Sequence, residues 1–287
     1  RGIAKSVSGE YIVGGETLLD NAGTNREAWV AILDRNGNVI SPRSFKIQGK
    51  STKINYIVQV DGGYLLIGTV NVPSDNSNNK VWVEKVGPLG KTLAKTIIEN
   101  NGNYFINSVV IDDDGGVVLA GQRSNKGWLA KADNNGKLVW QIDHGPEDFA
   151  SFEGVSKTEA GRYIVVGRVG ADSSKENGNA YLAIFNADGK LFKHKVLAGT
   201  YADIALKLER GLVPIVVTSL NQNKNVIKVD FAFVDEKGDI VRTIELDNAP
   251  SAIVRTEDGG VIILRHKYKY QNGKIRVKPA LKKRFLD

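Results

Sequence analysis

Asp34, Asn36 and Asn38 stand at alternate positions with Gly37 between the last two, the spacing of a calcium-binding loop. Such a loop completes its coordination with a Glu eleven residues after the first ligand, and Phe45 stands there. In Asp133, Asn135 and Lys137 a cation takes the third ligand's place. Both stretches therefore read as hairpin turns. His144, His194 and His266 are the three histidines, and no two have metal-ligand spacing. The absence of cysteine excludes disulfides and thiolate metal sites. No Gly-x-Ser-x-Gly elbow offers a nucleophile. Gly14-Gly15 opens no helix, so it is no phosphate loop. Asp112-Asp113-Asp114 is the densest acidic run, but it precedes Gly115-Gly116 and is expected to solvate a turn. No catalytic set, metal site or cofactor site can be assigned, and the chain reads as a binding protein rather than an enzyme.

The elements that would position any site are repeats. A Gly-bounded apolar strand recurs as Gly9 to Gly14, Gly62 to Gly68, Gly115 to Gly121, Gly161 to Gly167, more loosely as Gly211 to Val217, and as Gly259 to Leu264. Tyr11 to Tyr64 and Tyr64 to Val117 are each 53 residues, and Val117 to Tyr163 is 46. A period in this range with only strand-like pieces means blades around an axis. In the second copy, Ile54 to Val60, Tyr64 to Val70, Val81 to Val86 and Lys91 to Ile98 read as four strands separated by turn residues. The expected fold is all-β: one six-bladed β-propeller domain of four-stranded antiparallel blades, the last one atypical. The blades fall at about 1–48, 49–99, 100–145, 146–198, 199–247 and 248–287.

A second marker is the turn after the third strand, as in Asp34-Arg35-Asn36-Gly37, Gly87-Pro88-Leu89-Gly90, Asp133-Asn134-Asn135-Gly136, Asn186-Ala187-Asp188-Gly189 and Asp235-Glu236-Lys237-Gly238. Eight residues before the closing Gly stands Trp29, Trp82, Trp128 or Tyr181, with Asp230 in the fifth copy. Rings at these places are expected to pack between blades. Trp128-Leu129-Ala130-Lys131 followed by Asp133-Asn134-Asn135-Gly136-Lys137 and Trp140 resembles bacterial repeat propellers related to the PQQ-like repeat class. The resemblance covers residues 1 to about 264. It implies a propeller fold and, as in many such proteins, protein binding in the cell envelope. The quinone-dependent dehydrogenases of this class use a vicinal cysteine pair and calcium, and a cysteine-free chain departs from that pattern.

In a four-stranded antiparallel blade the short Gly turns share one face, and the loops from second to third strand and from fourth to the next first strand share the other. The second face varies. Its loops, expected at Glu16–Ala28, Asn71–Lys80, Arg123–Gly127, Arg168–Asn179 and Thr218–Lys228, are where binding is expected. The partner-binding candidates are Asp20, Asn21 and Arg26 in the first loop, and Asp75 and Asn76 in the second. Arg123 and Lys126 lie in the third, and Asp172, Lys175 and Glu176 in the fourth. His144 and Asp148, like Tyr201 and Asp203, lie in equivalent loops expected near the channel mouth. The expected partner is a protein. The alternative is a glycan bound or cleaved at the channel mouth, where a propeller can gather two carboxylates.

The net charge of +7 is concentrated at one end. Residues 265–287 hold nine basic residues and one acid. Asn272-Gly273 between two alternating runs is a hairpin signal. Arg265, Lys267, Lys269, Lys274, Arg276 and Lys278 are candidates for polyanion contact, against the simpler role of protecting an exposed edge where the sixth blade lacks a regular fourth strand. Nucleic acid is not favoured, because the remaining chain is nearly neutral. No apolar run reaches the ~20 residues that span a bilayer as a helix. The absence of methionine is expected of a mature, extracytoplasmic form after signal removal, periplasmic or at the cell surface.

Overall fold

The computed structural model describes the chain except residues 1, 7–8, 74, 76, 146–147, 171–172, 174–177, 198, 200, 204–211, 222–224, 247–249, 251, 257–260, 272–273 and 285–287. Side chains at 201, 227, 252, 254–255, 261, 263, 265–271 and 274–284 also lie outside the description. The chain divides into two compact units, Arg1–His144 and Gly145–Asp287.

The first unit holds three four-stranded antiparallel sheets in plain chain order. They are β1 (Gly2–Lys5), β2 (Tyr11–Leu18), β3 (Arg26–Leu33) and β4 (Val39–Phe45); β5 (Ser51–Val60), β6 (Gly63–Asn71), β7 (Lys80–Val86) and β8 (Thr92–Ile98); and β9 (Tyr104–Ile111), β10 (Val117–Arg123), β11 (Lys126–Ala132) and β12 (Leu138–His144). The second unit holds two more such sheets and a three-stranded one. These are β13 (Phe149–Lys157), β14 (Tyr163–Gly170), β15 (Gly178–Phe185) and β16 (Leu191–Leu197); β17 (Tyr201–Asp203), β18 (Val213–Leu220), β19 (Val226–Val234) and β20 (Ile240–Leu246); and β21 (Ala252–Arg255), β22 (Val261–Gln271) and β23 (Lys274–Arg284). Among the described residues there is no helix.

The Gly-bounded marker is the second strand of each sheet, and its unbroken apolar run has a packing cause. Alternate residues of a strand face opposite sides, so a strand covered on both sides must be apolar throughout. Tyr64 and Leu66 join Ile12, Val30, Ile32 and Trp82 in one core between the first and second sheets. Leu65 and Ile67 join Val117, Leu119 and Trp128 in the next core, between the second and third. In the second unit the same logic packs Ile164, Val166 and Leu182 against Val213, Ile215 and Val217. Trp82 and Trp128 are fully buried between sheets, with Trp82 5.8 Å from the Phe45 ring and Trp128 edge-on to Tyr104 at 5.2 Å. Trp82 and Trp128 are thus inter-sheet packing and Tyr181 is fully buried, whereas Trp29 is half-buried.

The third-to-fourth turns close with one geometry. Gly37 N–H donates to the Asp34 carbonyl at 3.1 Å and Asp34 N–H to the Asn38 carbonyl at 2.9 Å, and the same pair of bonds recurs from Gly87, Asp133, Asn186 and Asp235. A register shift sits at the last residue pair of each of these hairpins, as a Gly-closed bulge requires. Both oxygens of Asp34 accept bonds, from the Asn36 and Asn38 amides and the Asn38 side chain, all at 2.8 Å. The calcium-like spacing is therefore that of a self-capped turn. Asp133 accepts the Asn135 and Lys137 amides in the same way, at 2.8 and 2.9 Å. Asp133→Ala removes both bonds and is expected to cost about 1 kcal/mol in urea unfolding.

A second bulge explains the marker's closing glycine. Asn55, Asn107 and Glu153 are extra residues in the first strands of three sheets, between Ile54 and Tyr56, Ile106 and Ser108, and Phe152 and Gly154. Opposite them stand Gly68, Gly121 and Gly167, where a Cβ would strike the carbonyl oxygens of Lys53, Phe105 and Ser151. The closing glycine makes room for a bulged neighbour.

Candidate functional site

In each sheet one end carries the uniform turns and the other the variable loops. The turn end is occupied by its own structure. Lys85 is buried, with its ammonium donating to the Asp61 carbonyl and, at 2.8 Å, to Asn134 Oδ1 of the neighbouring sheet. Burial holds the Lys85 amine below its usual pKa. At the same strand position one repeat later, Lys131 bridges Asp112 at 2.5 Å and Asp114 at 2.6 Å. The acidic run is thus no mere solvating turn, because Asp112 is buried and paired. In the second unit Lys193 meets Asp239 at 3.1 Å, and the Ala160 amide donates to Glu236 at 2.9 Å.

The loop end of the first unit is different. Its strands run further than expected, so the second-to-third connections shorten to 19–25, 72–79 and 124–125. Arg26, Arg123 and Lys126 accordingly lie on strand ends and not in loops. Tyr201 and Asp203 likewise form β17. Between the first two sheets lie two depressions, of about 240 and 280 Å³, which share Ile47 and Lys50. Leu19, Arg26, Lys46 and Pro73 line the first, and Val72, Lys80, Ile97 and Glu99 the second. Both fall below the ~300–1,000 Å³ usual for enclosed small-molecule sites. Of the apolar side chains here, Leu19 in the first is 54% exposed and Val72 in the second 42%, and Leu18, next to Leu19 in the chain, is 54% exposed.

The predicted polar residues mostly hold this surface in shape. Asp20 accepts from the Thr24 amide at 2.9 Å, the Thr24 hydroxyl at 2.7 Å and the Asn25 amide at 3.0 Å. The Thr24 hydroxyl bond is the main reason its carboxyl is held below the usual range. Asp75 caps Ser77 through amide and hydroxyl, at 3.0 and 2.6 Å, and its pKa falls for the same cause. Arg26 pairs with the buried Glu16 at 2.9 Å and donates to the Gly23 carbonyl at 3.2 Å. Arg123 pairs with Asp143 and lies 6.0 Å from the centre of the Tyr104 ring. Asn21 is exposed in the Asp20 turn, His144 ends β12 opposite Gly127, and Asp148 is exposed just before β13. Asn76, Asp172, Lys175 and Glu176 lie outside the described residues, as does the Tyr201 side chain. Asp203 pairs with Val216 in the fifth sheet, half-buried.

What the polar reading missed is the apolar component. The signal was present in Leu18-Leu19, two adjacent leucines at a strand end where alternation stops and a polar turn begins. His144, His194 and His266 lie on three different sheets. Among the described residues no group of three or more His, Asp or Glu is placed to hold a metal ion, and no helix is long and apolar enough to cross a membrane. The basic candidates Arg265, Lys267 and Lys269 lie on β22 and Lys274, Arg276 and Lys278 on β23, paired across a hairpin whose Asn272-Gly273 tip lies outside the described residues.

No protein-family model matches the chain, and no curated protein matches it. Solved structures do. The Dos1 propeller aligns over 91% of the chain at 12% identity with a TM-score of 0.60, and the chain spans 63% of that protein's length. A protein of unknown function from Dyadobacter fermentans aligns over 98% of the chain and 93% of its own length, at 12% identity and a TM-score of 0.56. The β-propeller domain of the Trilobed protease from Pyrococcus furiosus, described as having an open velcro topology, aligns over 97% and 81%, at 12% identity and a TM-score of 0.55. At these identities the likeness is one of fold, and the fold is that of a β-propeller.

Proposed function

We propose that the chain is a single six-bladed β-propeller domain of the bacterial envelope, related to the PQQ-like repeat class, which binds a protein partner through its variable-loop face and catalyses no reaction. The observation that carries this reading is the exposed Leu19 and Val72 lining two shallow depressions at the loop end, with exposed Leu18 next in the chain, within a frame of locally paired charges. Exposed apolar residues rimmed by polar ones suit a protein surface, whereas a small ligand wants an enclosed pocket. The six-blade count rests on five four-stranded sheets and a three-stranded one following each other in chain order. An extracytoplasmic location fits the resemblance of the repeats.

The triple variant Leu18→Asp, Leu19→Asp, Val72→Asp is expected to stay within about 1.5 kcal/mol of wild-type stability, about 0.5 for each exposed side chain. In affinity capture from envelope extract, the partner held by the intact chain should be lost with the variant. Retention of the same protein by both baits, or the absence of any specific protein, would sink the reading.

A further inference from the structure

β22 and β23 pair along their whole length, from Val261↔Arg284 to Gln271↔Lys274. β21 meets only Val261 to Leu264 of that pair. Residues 265–271 and 274–280 therefore continue beyond the three-stranded part of the sheet as a two-stranded ribbon. Directly paired residues share a face, and successive residues alternate between faces. One face thus carries the positions of Arg265, Lys267, Lys269, Lys274, Arg276 and Lys278, with Lys267 opposite Lys278 and Lys269 opposite Arg276. The other face carries Tyr268 opposite Val277 and Tyr270 opposite Ile275. No Asp or Glu occurs from Val261 to Leu286.

This arrangement has a cost that edge protection does not explain. Like charges directly opposite destabilise a strand pair, and a two-stranded ribbon is marginal in water. Blocking an edge needs cations on the outer strand alone. Here both strands carry them, at matched positions on one face, so counter-charge favours the array. We propose that this ribbon docks the protein on an anionic lipid bilayer. The cationic positions meet phosphate headgroups, and the Tyr, Ile and Val positions meet the acyl boundary. Lys and Arg reach headgroups from such positions through long flexible stems. A soluble polyanion would engage the cationic row only, while a bilayer presents negative charge and an apolar boundary within a few ångströms of each other, where Tyr is favoured.

The test is sedimentation of the full chain with vesicles. The wild type should bind phosphatidylcholine vesicles containing phosphatidylglycerol, ignore pure phosphatidylcholine, and be released between about 0.05 and about 0.5 M salt, a result that needs no variant. Lys267→Gln with Lys269→Gln, Arg276→Gln and Lys278→Gln should weaken binding on the order of 600-fold, given roughly fivefold for each of the four charges. Tyr268→Ser with Tyr270→Ser should weaken it about tenfold. Circular dichroism melting of each variant checks that the fold persists. No binding to the anionic vesicles, or unchanged binding by the four-Gln variant, overturns the proposal. It also fails if heparin competes while the Tyr variant keeps wild-type vesicle affinity, because the site is then a general polyanion surface.

Discussion

Replacing Gly121 by Ala should cost about 3 kcal/mol, the upper end of what overpacking a well-filled site costs. At roughly 2–4 °C per kcal/mol for a chain of this size, the thermal midpoint should fall by about 6–12 °C. The cause is local and rigid. Asn107 is an extra residue in β9, so the Phe105 carbonyl bows toward β10 at the point where Gly121 faces it. An added methyl would strike backbone oxygen, and a backbone held by ladder bonds on both sides cannot yield as a flexible side chain can. Gly37→Ala is the matched control. Gly37 has a φ of 87° but nothing within 4 Å of an added Cβ, so only the left-handed backbone strain of about 1–2 kcal/mol applies. If both substitutions shift the urea midpoint equally, the bulge is not what demands glycine.

The chain holds its own comparison for this account. In the fifth sheet the equivalent position is Val217, and there Tyr201, Ala202 and Asp203 pair with Thr218, Val217 and Val216 without a skipped residue. Where the glycine is absent, so is the bulge. The looser fifth marker was visible in the sequence, but its meaning was not. A glycine between two apolar runs says that a Cβ is unwelcome, without saying whether a turn, a bulge or a neighbouring sheet excludes it.

The same limit shaped the reading of the loop end. Strand order, the turn geometry and the buried rings follow from local pattern, so they were legible: Tyr64-Leu65-Leu66-Ile67, short and bounded by glycines, reads as a strand covered on both sides. Which loop residues remain available to a partner is a question of hydrogen-bond accounting across space. Asp20 and Asp75 look like ligand groups in a polar loop, yet their oxygens are taken by Thr24, Asn25 and Ser77. Arg26 pairs with Glu16, ten residues back along the chain, on the neighbouring strand. Leu18, Leu19 and Val72 look like strand ends, yet all three are exposed, with Leu19 lining one depression and Val72 its neighbour.

Lys131→Met should separate the two ends of the sheets. Lys131 holds the buried Asp112 and the half-exposed Asp114 at once, and removing its charge leaves Asp112 in the core without its cation. Breaking a buried pair from one side costs roughly 3–5 kcal/mol, against about 1 kcal/mol or less for a surface pair. The pH dependence follows from the two shifts. Burial opposes the Lys131 charge, but bonds to Asp112 and Asp114 outweigh it and raise the amine above its ordinary 10.5, so its contribution is complete below that value and is lost as pH rises through the folded pKa. The bond from Lys131 lowers Asp114 beneath its ordinary 3.8, so that contribution is present above this value and is lost as pH falls through the folded pKa. The stability gap between wild type and Lys131→Met should therefore be widest and flat between about pH 5 and about pH 10, and narrow at both extremes. Urea unfolding at about pH 3, 7 and 11 reads this directly, and a gap under about 1 kcal/mol at pH 7 would make the triad an ordinary surface pair. Where the variant is still folded, it should capture partner as the wild type does, because the turn end is given over to holding the sheets. The Leu18, Leu19 and Val72 variant should do the reverse, keeping most of its stability and losing its partner. A chain in which both variants lost both properties would have no division of labour between its two ends.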